Sequence, residues 1–318
     1  MEERLLAILR LALRSKATDI HFTQRGSEII IEMRVEDHLR RVKSAFQDEK
    51  LLRYLQYLSN LDVGNVLSPQ TGQFEMEVDG VTLSLRFAVI HSYRFTNAVL
   101  RILNSSLKIE ASRLSSITEQ NELFASLMKL PYGLILFSGP TGSGKTTSIY
   151  ALLESVKDKK IFTIEDPIEV YHDGFVQLQV NESLGFGYHE GVKQILRHDP
   201  DIILIGEIRD EKAARIAVTA ANTGHLVLST IHASTASSCV SRMSDLGVKE
   251  EHLYEILVCL SGQRMMIEKG SGKRRVLYEI MDKEEIAYFR QYGRNSPSFQ
   301  SLSRQIEEGR REGLFEEN

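Results

Sequence analysis

The chain carries only two cysteines, Cys239 and Cys259, in 318 residues. Neither has a CxxC partner, so a disulfide framework and a zinc site both lack support. The two read as buried core thiols in apolar, helix-like stretches, in a reducing compartment. Charge of one sign is also lacking, because 39 Lys and Arg stand against 43 Asp and Glu, a formal net charge of −4. That total does not mark a nucleic-acid binder, although it leaves room for a local basic patch. Missing as well is any run of about 20 apolar residues. The opening Glu2-Glu3-Arg4 is acidic, and Arg10 and Arg14 interrupt the apolar stretch behind it. This fits neither a secretory signal nor a membrane span, and the expected location is the cytosol. Internal repeats and long low-complexity segments are absent.

What is present suggests two domains, given about 100 to 200 residues per domain. Leu5, Leu6, Leu9 and Leu13 recur at helical spacing, so the first fifteen residues read as an amphipathic helix. A strand follows at Glu28–Met33 and a helix at Leu51–Leu58. From Val81 to Val89 the chain alternates, with Val81, Leu83, Leu85, Phe87 and Val89 on one side and Arg86 among the polar residues opposite, which predicts a half-buried strand. The polar stretch 105–120 reads as a linker between a mixed α/β domain, 1–104, and a second domain, 121–300, with a charged helix or tail at 301–318. In the second domain, apolar runs at 134–137, 161–164, 202–205 and 226–229 alternate with helical segments, the pattern of a parallel sheet with helices on both faces. Ligands of such sheets sit at the carboxyl ends of the strands, where each motif below is expected to fall.

The most informative motif is Gly139-Pro140-Thr141-Gly142-Ser143-Gly144-Lys145-Thr146-Thr147, which matches GxxxxGK[ST] directly behind the apolar run Leu134–Phe137. Glycines let backbone N–H groups converge on phosphate oxygens, and the helix that follows adds its dipole. Lys145 is then expected to reach the β- and γ-phosphates of ATP, and the Thr146 hydroxyl to bind Mg²⁺. The strand at 202–205 ends in Gly206-Glu207, a carboxylate placed to polarise water for attack on the γ-phosphate. Because glycine precedes Glu207, metal binding falls to Thr146, the phosphates and water-bridged carboxylates, with Glu165, Asp166 and Glu207 as candidates. Glu165, Asp166 and Glu169 follow another strand end, where one of them could orient the magnesium's water shell. His225 and His232 bracket the last strand and could sense the γ-phosphate or position groups at the sheet's edge; neither has a partner at metal-ligand spacing. Gly270-Ser271-Gly272-Lys273 imitates a phosphate loop but has Ile267 for the first glycine and Arg274 after the lysine, so a hairpin or loop is expected there.

The phosphate loop, the acidic box Ile164–Glu169, the glycine-glutamate strand end within Asp199–Asp210 and the histidine box through His232, in that order, resemble the secretion and type IV pilus ATPase superfamily. The likeness extends upstream to Ala17-Thr18-Asp19-Ile20-His21-Phe22 and downstream to Gly262-Gln263-Arg264-Met265, covering roughly residues 5 to 266. The glycine before Glu207 belongs to that family's pattern. A short amino-terminal half and the lack of a tetracysteine insert look most like the competence pseudopilus ATPases of Gram-positive bacteria, the ComGA type. The resemblance implies an α/β architecture, with a RecA-like P-loop domain behind a smaller PAS-like domain. It also implies a homohexameric ring, ATP and Mg²⁺ as cofactors, and a polytopic membrane platform as partner, with the protein peripheral on the inner face of the membrane.

Arg86 and Arg101 match the two positions from which the family completes its nucleotide site. A planar, permanently charged guanidinium suits charge developing on a transferred phosphoryl group. Arg94 is a third candidate. The chain reads Asn97-Ala98 where the family pattern has Gly-Glu before the second arginine. Other family members, in type II secretion or pilus retraction, share this motor. A RecA-like nucleic-acid translocase is the alternative of a different class, against which stand the near-neutral charge and the lack of a basic, aromatic-rich stretch; stable nucleic-acid binding is not expected.

Overall fold

The computed structural model describes residues 1–35, 38–42, 50–103, 109–181 and 185–315. Contacts divide it into two compact units: the described residues up to Leu103 with Glu169–Tyr171, and the described remainder from Ile109 onward.

The first unit begins with the amphipathic helix α1 (Glu2–Ser15), followed by β1 (Ala17–Arg25), β2 (Glu28–Val35), β3 (His38–Arg41), α2 (Lys50–Leu58), β4 (Gln70–Val78), β5 (Val81–His91) and β6 (Thr96–Ile102). The six strands form one antiparallel sheet in the order β3-β2-β1-β6-β5-β4. Strand alternation divides its faces. Leu83, Leu85, Phe87 and Val89 of β5 join Ala98, Leu100 and Ile102 of β6 and the apolar stripes of both helices in one core. Val81, expected on that buried side, is exposed, because β5 begins there next to the Asp79-Gly80 turn. The polar face is left to carry Arg86 and Arg101. Asn97 and Ala98 lie within β6, where Asn97 Oδ1 accepts a hydrogen bond from the Thr23 hydroxyl and Ala98 packs in the core.

The second unit contains α3 (Thr118–Leu127), β7 (Gly133–Ser138), α4 (Lys145–Glu154), β8 (Ile161–Glu165), β9 (Phe175–Gln179), α5 (Tyr188–Ile195), β10 (Ile202–Ile208), α6 (Glu211–Asn222), β11 (Leu226–Ile231), α7 (Ser238–Asp245), α8 (Glu250–Ile256), β12 (Leu257–Ile267), β13 (Arg274–Met281), α9 (Lys283–Tyr292) and α10 (Leu302–Arg311). Its sheet has the order β13-β12-β7-β11-β10-β8-β9, with β13 antiparallel to β12 and every other pair parallel. Central strands β7, β8 and β11 are buried throughout, as expected where helices cover both faces. Leu134 and Leu136 of β7 pack in the cluster that contains the alanine-rich side of α6. Phe137 points the other way and stacks on Phe124 of α3.

Three details differ from the pattern reading. Cys259 lies on strand β12 instead of a helix, although both thiols are buried and free. Of the stretch read as a linker, residues 105–108 lie outside the described residues, while 109–120 join the second unit, with a 3-10 turn at Ala111–Arg113 and the start of α3. The charged carboxyl end also belongs to this unit: in α10, Leu302 is buried in a small cluster with Leu277 and Phe315. The Gly270–Lys273 decoy sits in the turn between β12 and β13.

Candidate functional site

Parallel strands put successive loops on one edge. Ser138 ends β7 opposite Ile231 at the end of β11, and Ile231 pairs in turn with Ile208 at the end of β10. Two strand spacings separate β7 from β10, about 10 Å. The phosphate-loop motif and Glu207 are therefore neighbours, though residues 145 and 207 are 62 positions apart.

In the loop, Gly139, Gly142 and Gly144 adopt φ values of 142°, 79° and 88°, which side chains with a Cβ rarely reach. A Cβ on Gly139 would come within 2.4 Å of the Gln263 carbonyl oxygen, whereas Gly142 has open space around it. Gly144 caps α4, so Lys145, Thr146 and Thr147 form the helix's first turn, where N–H groups and the dipole favour an anion. Lys145 Nζ donates to the carbonyls of Gly139 and Pro140 at 2.8 and 3.1 Å. Pro140 and Thr141 are exposed, and Ser143 is buried with a hydroxyl that has no hydrogen-bond partner.

Glu207 owes its position to an irregularity in β10. Pairing with β11 shifts register between Ile205 and Ile208, and the carbonyls of Ile205 and Gly206 accept instead from the hydroxyls of Ser229 and Thr230, at 2.6 and 2.7 Å. Those hydroxyls satisfy buried carbonyls at an interruption of the ladder, where a bulge re-aims the next side chain. Gly206 lies against Glu165, where a Cβ would stand 3.2 Å from Glu165 Cγ, a tight fit that favours glycine before this glutamate. Glu207 Oε2 accepts from Arg209 Nε at 2.7 Å. Its Oε1 is buried without a hydrogen-bond partner; His232 Nε2 lies 2.8 Å away, an ion pair when the imidazole is protonated, but not aligned for a hydrogen bond. Arg209 also reaches Asp166 at 3.8 Å, so one guanidinium spans two carboxylates. Its pKa is raised, first by the hydrogen bond to Glu207. Tyr188, at the start of α5, has its pKa raised by burial and then by the negative charges of Asp166, Glu207 and Glu165.

The remaining candidates divide. Glu165 is buried, and its Oε1 accepts from the Tyr150 and Thr163 hydroxyls at 2.6 and 2.7 Å. Asp166 is beside Arg209 as described. Glu169 groups with the first unit. His225 stands at the amino-terminal end of β11, with Nδ1 near Thr223 Oγ1 and the Ala220 carbonyl at 3.1 and 3.2 Å. Six strand residues, about 20 Å, separate it from His232, so within one chain it cannot sense the phosphate end of the sheet. The expectation that every motif falls at the carboxyl edge is corrected there.

On the polar face of the first unit's sheet, Arg86 and Arg101 are directly opposed across β5 and β6, and Asp19 opposes Arg101 across β1. Arg101 Nε donates to Asp19 Oδ1 at 2.6 Å. Burial and the facing Arg101 pull the Arg86 pKa below the ordinary arginine value, with Glu169 and Asp19 opposing. The two guanidiniums are thus held among two carboxylates, Asp19 and Glu169. Arg94 lies exposed in the turn between β5 and β6.

Residues present fit a nucleotide with magnesium. The glycine cradle and the helix amino terminus supply phosphate donors, and the buried Glu207 Oε1, with His232 Nε2 at 2.8 Å but no hydrogen bond, supplies a water acceptor. Among the described residues no group of three or more His, Cys, Asp or Glu could cage a metal. Mg²⁺, which keeps most of its water and shares phosphate ligands, suits Thr146 better than a protein cage. Sequence reasoning assigned nothing to Arg209, Tyr188, Ser229 or Thr230. The Ser-Thr pair in an otherwise apolar strand was the available signal.

Fold and site together define a RecA-like P-loop ATPase with a separate amino-terminal domain. The family described as Type II/IV secretion system protein matches residues 1–312, and the chain belongs to it. Among relatives, the Competence protein ComGA of Bacillus subtilis is 34% identical over 257 residues, covering 79% of this chain and 72% of that protein. The Type II secretion system protein E of Pectobacterium carotovorum is 37% identical over 265 residues, 82% of this chain, which spans 53% of that relative's length. Among solved structures, the pilus retraction motor PilT with bound ADP superposes with a TM-score of 0.75 at 26% identity, over 98% of this chain and 94% of that one. No described helix is long and apolar enough to cross a membrane.

Proposed function

We propose that the chain is the hexameric motor of a competence pseudopilus for DNA uptake, peripheral on the cytoplasmic face of the membrane and acting on a polytopic platform protein. One observation carries the ATPase chemistry: the phosphate loop and Glu207 occupy the same edge of one sheet, at the ends of strands two places, about 10 Å, apart, and Glu207 Oε1 is buried there without a hydrogen bond. Residues 139–147 would hold the phosphates of ATP, and Thr146 with Glu165 or Asp166 would hold Mg²⁺, which would offset phosphate charge. Glu207 takes a proton from water as its oxygen attacks the γ-phosphorus and ADP leaves. Arg86 and Arg101 stabilise charge on the transferred group, a role worth about 10³ to 10⁵ in rate where such arginines act.

The competence reading is supported by two ComGA competence proteins, 34% and 36% identical to this chain, among its relatives. The near-neutral charge disfavours the translocase reading. A Lys145→Ala strain of the source organism tests the assignment. Loss of DNA uptake and of surface filaments is expected; a strain that keeps both contradicts it.

A further inference from the structure

We infer that Gln263 is a positioning residue for nucleotide binding, the head of a buried strut that runs through Ser148 to Tyr278 and seats the phosphate loop from its carbonyl side. This rests on the reading of residues 139–147 as the ATP site. Strand β12 lies next to β7, so its Gln263 emerges under the loop, with none of its surface exposed. Its Nε2 donates to the Ser143 carbonyl at 2.6 Å, and its Oε1 is 3.2 Å from Ser148 Oγ. Ser148 Oγ in turn lies 2.7 Å from the Tyr278 hydroxyl. A proton assignment that satisfies the whole row has Tyr278 donate to Ser148, Ser148 to Gln263 and Gln263 to the loop; the Gly144 carbonyl, 3.1 Å from Ser148 Oγ, is the second acceptor within reach of that hydroxyl. Burial pushes the Tyr278 pKa up to about 12, so the first donor keeps its proton near neutrality. The far end is anchored, because the Tyr278 carbonyl accepts from the side chains of Gln120 and Gln305 at 3.0 and 2.8 Å.

The strut acts on phosphate because a peptide unit is planar and trans. Fixing the Ser143 carbonyl toward Gln263 turns the Gly144 N–H to the opposite side, into the concave face of the loop. The loop also sits directly on Gln263: a Cβ on Gly139 would meet its backbone carbonyl at 2.4 Å, and one on Gly144 would meet its Nε2 at 3.1 Å. Replacing Gln263 by leucine keeps apolar volume but leaves the buried Ser143 carbonyl without its partner. Ground-state binding should then suffer more than the chemical step, which belongs to Glu207.

The test compares Gln263→Leu, Tyr278→Phe, the double variant and Lys145→Ala for binding of a fluorescent ADP analogue, for KM and kcat with ATP, and for melting temperature. Gln263→Leu is expected to weaken binding about tenfold and raise KM in parallel, with kcat within about threefold of wild type. Tyr278→Phe should weaken binding by about threefold, and the double variant by less than the product of the two, since both break one row. Unchanged affinity in Gln263→Leu overturns the strut; if that variant does not fold, unchanged affinity in Tyr278→Phe does so. A double variant whose loss equals the product also overturns it. If Lys145→Ala loses the analogue while Gln263→Leu keeps it, the strut alone fails; if Lys145→Ala binds it normally, the ATP-site reading fails and takes the strut with it.

Discussion

At the scale of single residues, burial decides chemistry. Cys239 and Cys259 are fully buried, which pushes the Cys239 thiol up to about 12 and the Cys259 thiol higher still. An unfolded thiol ionises near about 8.5. Above that pH the unfolded chain gives up protons that the native state retains. The thiols' contribution to stability is thus fully present below about 8.5 and lost as pH rises toward the folded values, by up to about 1.4 kcal/mol per unit per thiol. Denaturant unfolding at pH 8 and pH 10 should show a smaller loss for a Cys239→Ala/Cys259→Ala variant than for wild type. Equal losses would contradict thiol burial. Patterning along the chain made the phosphate loop and Glu207 legible, because both follow apolar strands. It could not reveal Arg209 as the partner of Glu207, since two residues apart on an extended strand end is a spacing that carries no directional signal until the β10 irregularity is seen.

At the scale of elements, Glu207 is held between a bulged strand and a capped helix. Asp210, three residues after the catalytic candidate, accepts from the Ala213 N–H at 2.8 Å through its Oδ1 and so caps the start of α6. Asp210→Ala should cost about 1 kcal/mol in urea unfolding, and Asp210→Asn much less, as these residues rank at helix starts. No loss in the alanine variant would show that packing alone sets the helix start. The parallel strands were readable as short apolar runs, and α1 and α2 as amphipathic stripes. His225 was misplaced because a strand's two ends look alike in sequence, while chain direction within the sheet decides which end meets the phosphate. Cys259 was misread because β12, buried along most of its length, lacks the alternation that separates strand from helix.

At the scale of the whole molecule, sheet order brings together residues far apart in sequence. Gln263 and Ser143 are 120 positions apart, yet adjacent because β12 lies beside β7. Asp19 and Arg101 are 82 apart and share an ion pair because β1 lies beside β6. Local motifs point to the proposed nucleotide site; the residues packed against it come from neighbouring strands that no local pattern specifies. The central claim is that Lys145 and Glu207 serve one terminal phosphate. The most direct measurement is ATP binding and steady-state hydrolysis by Glu207→Gln, which keeps the shape of the side chain and removes the base. Binding should persist while hydrolysis falls by about 10² to 10⁴. Hydrolysis at the wild-type rate would contradict it.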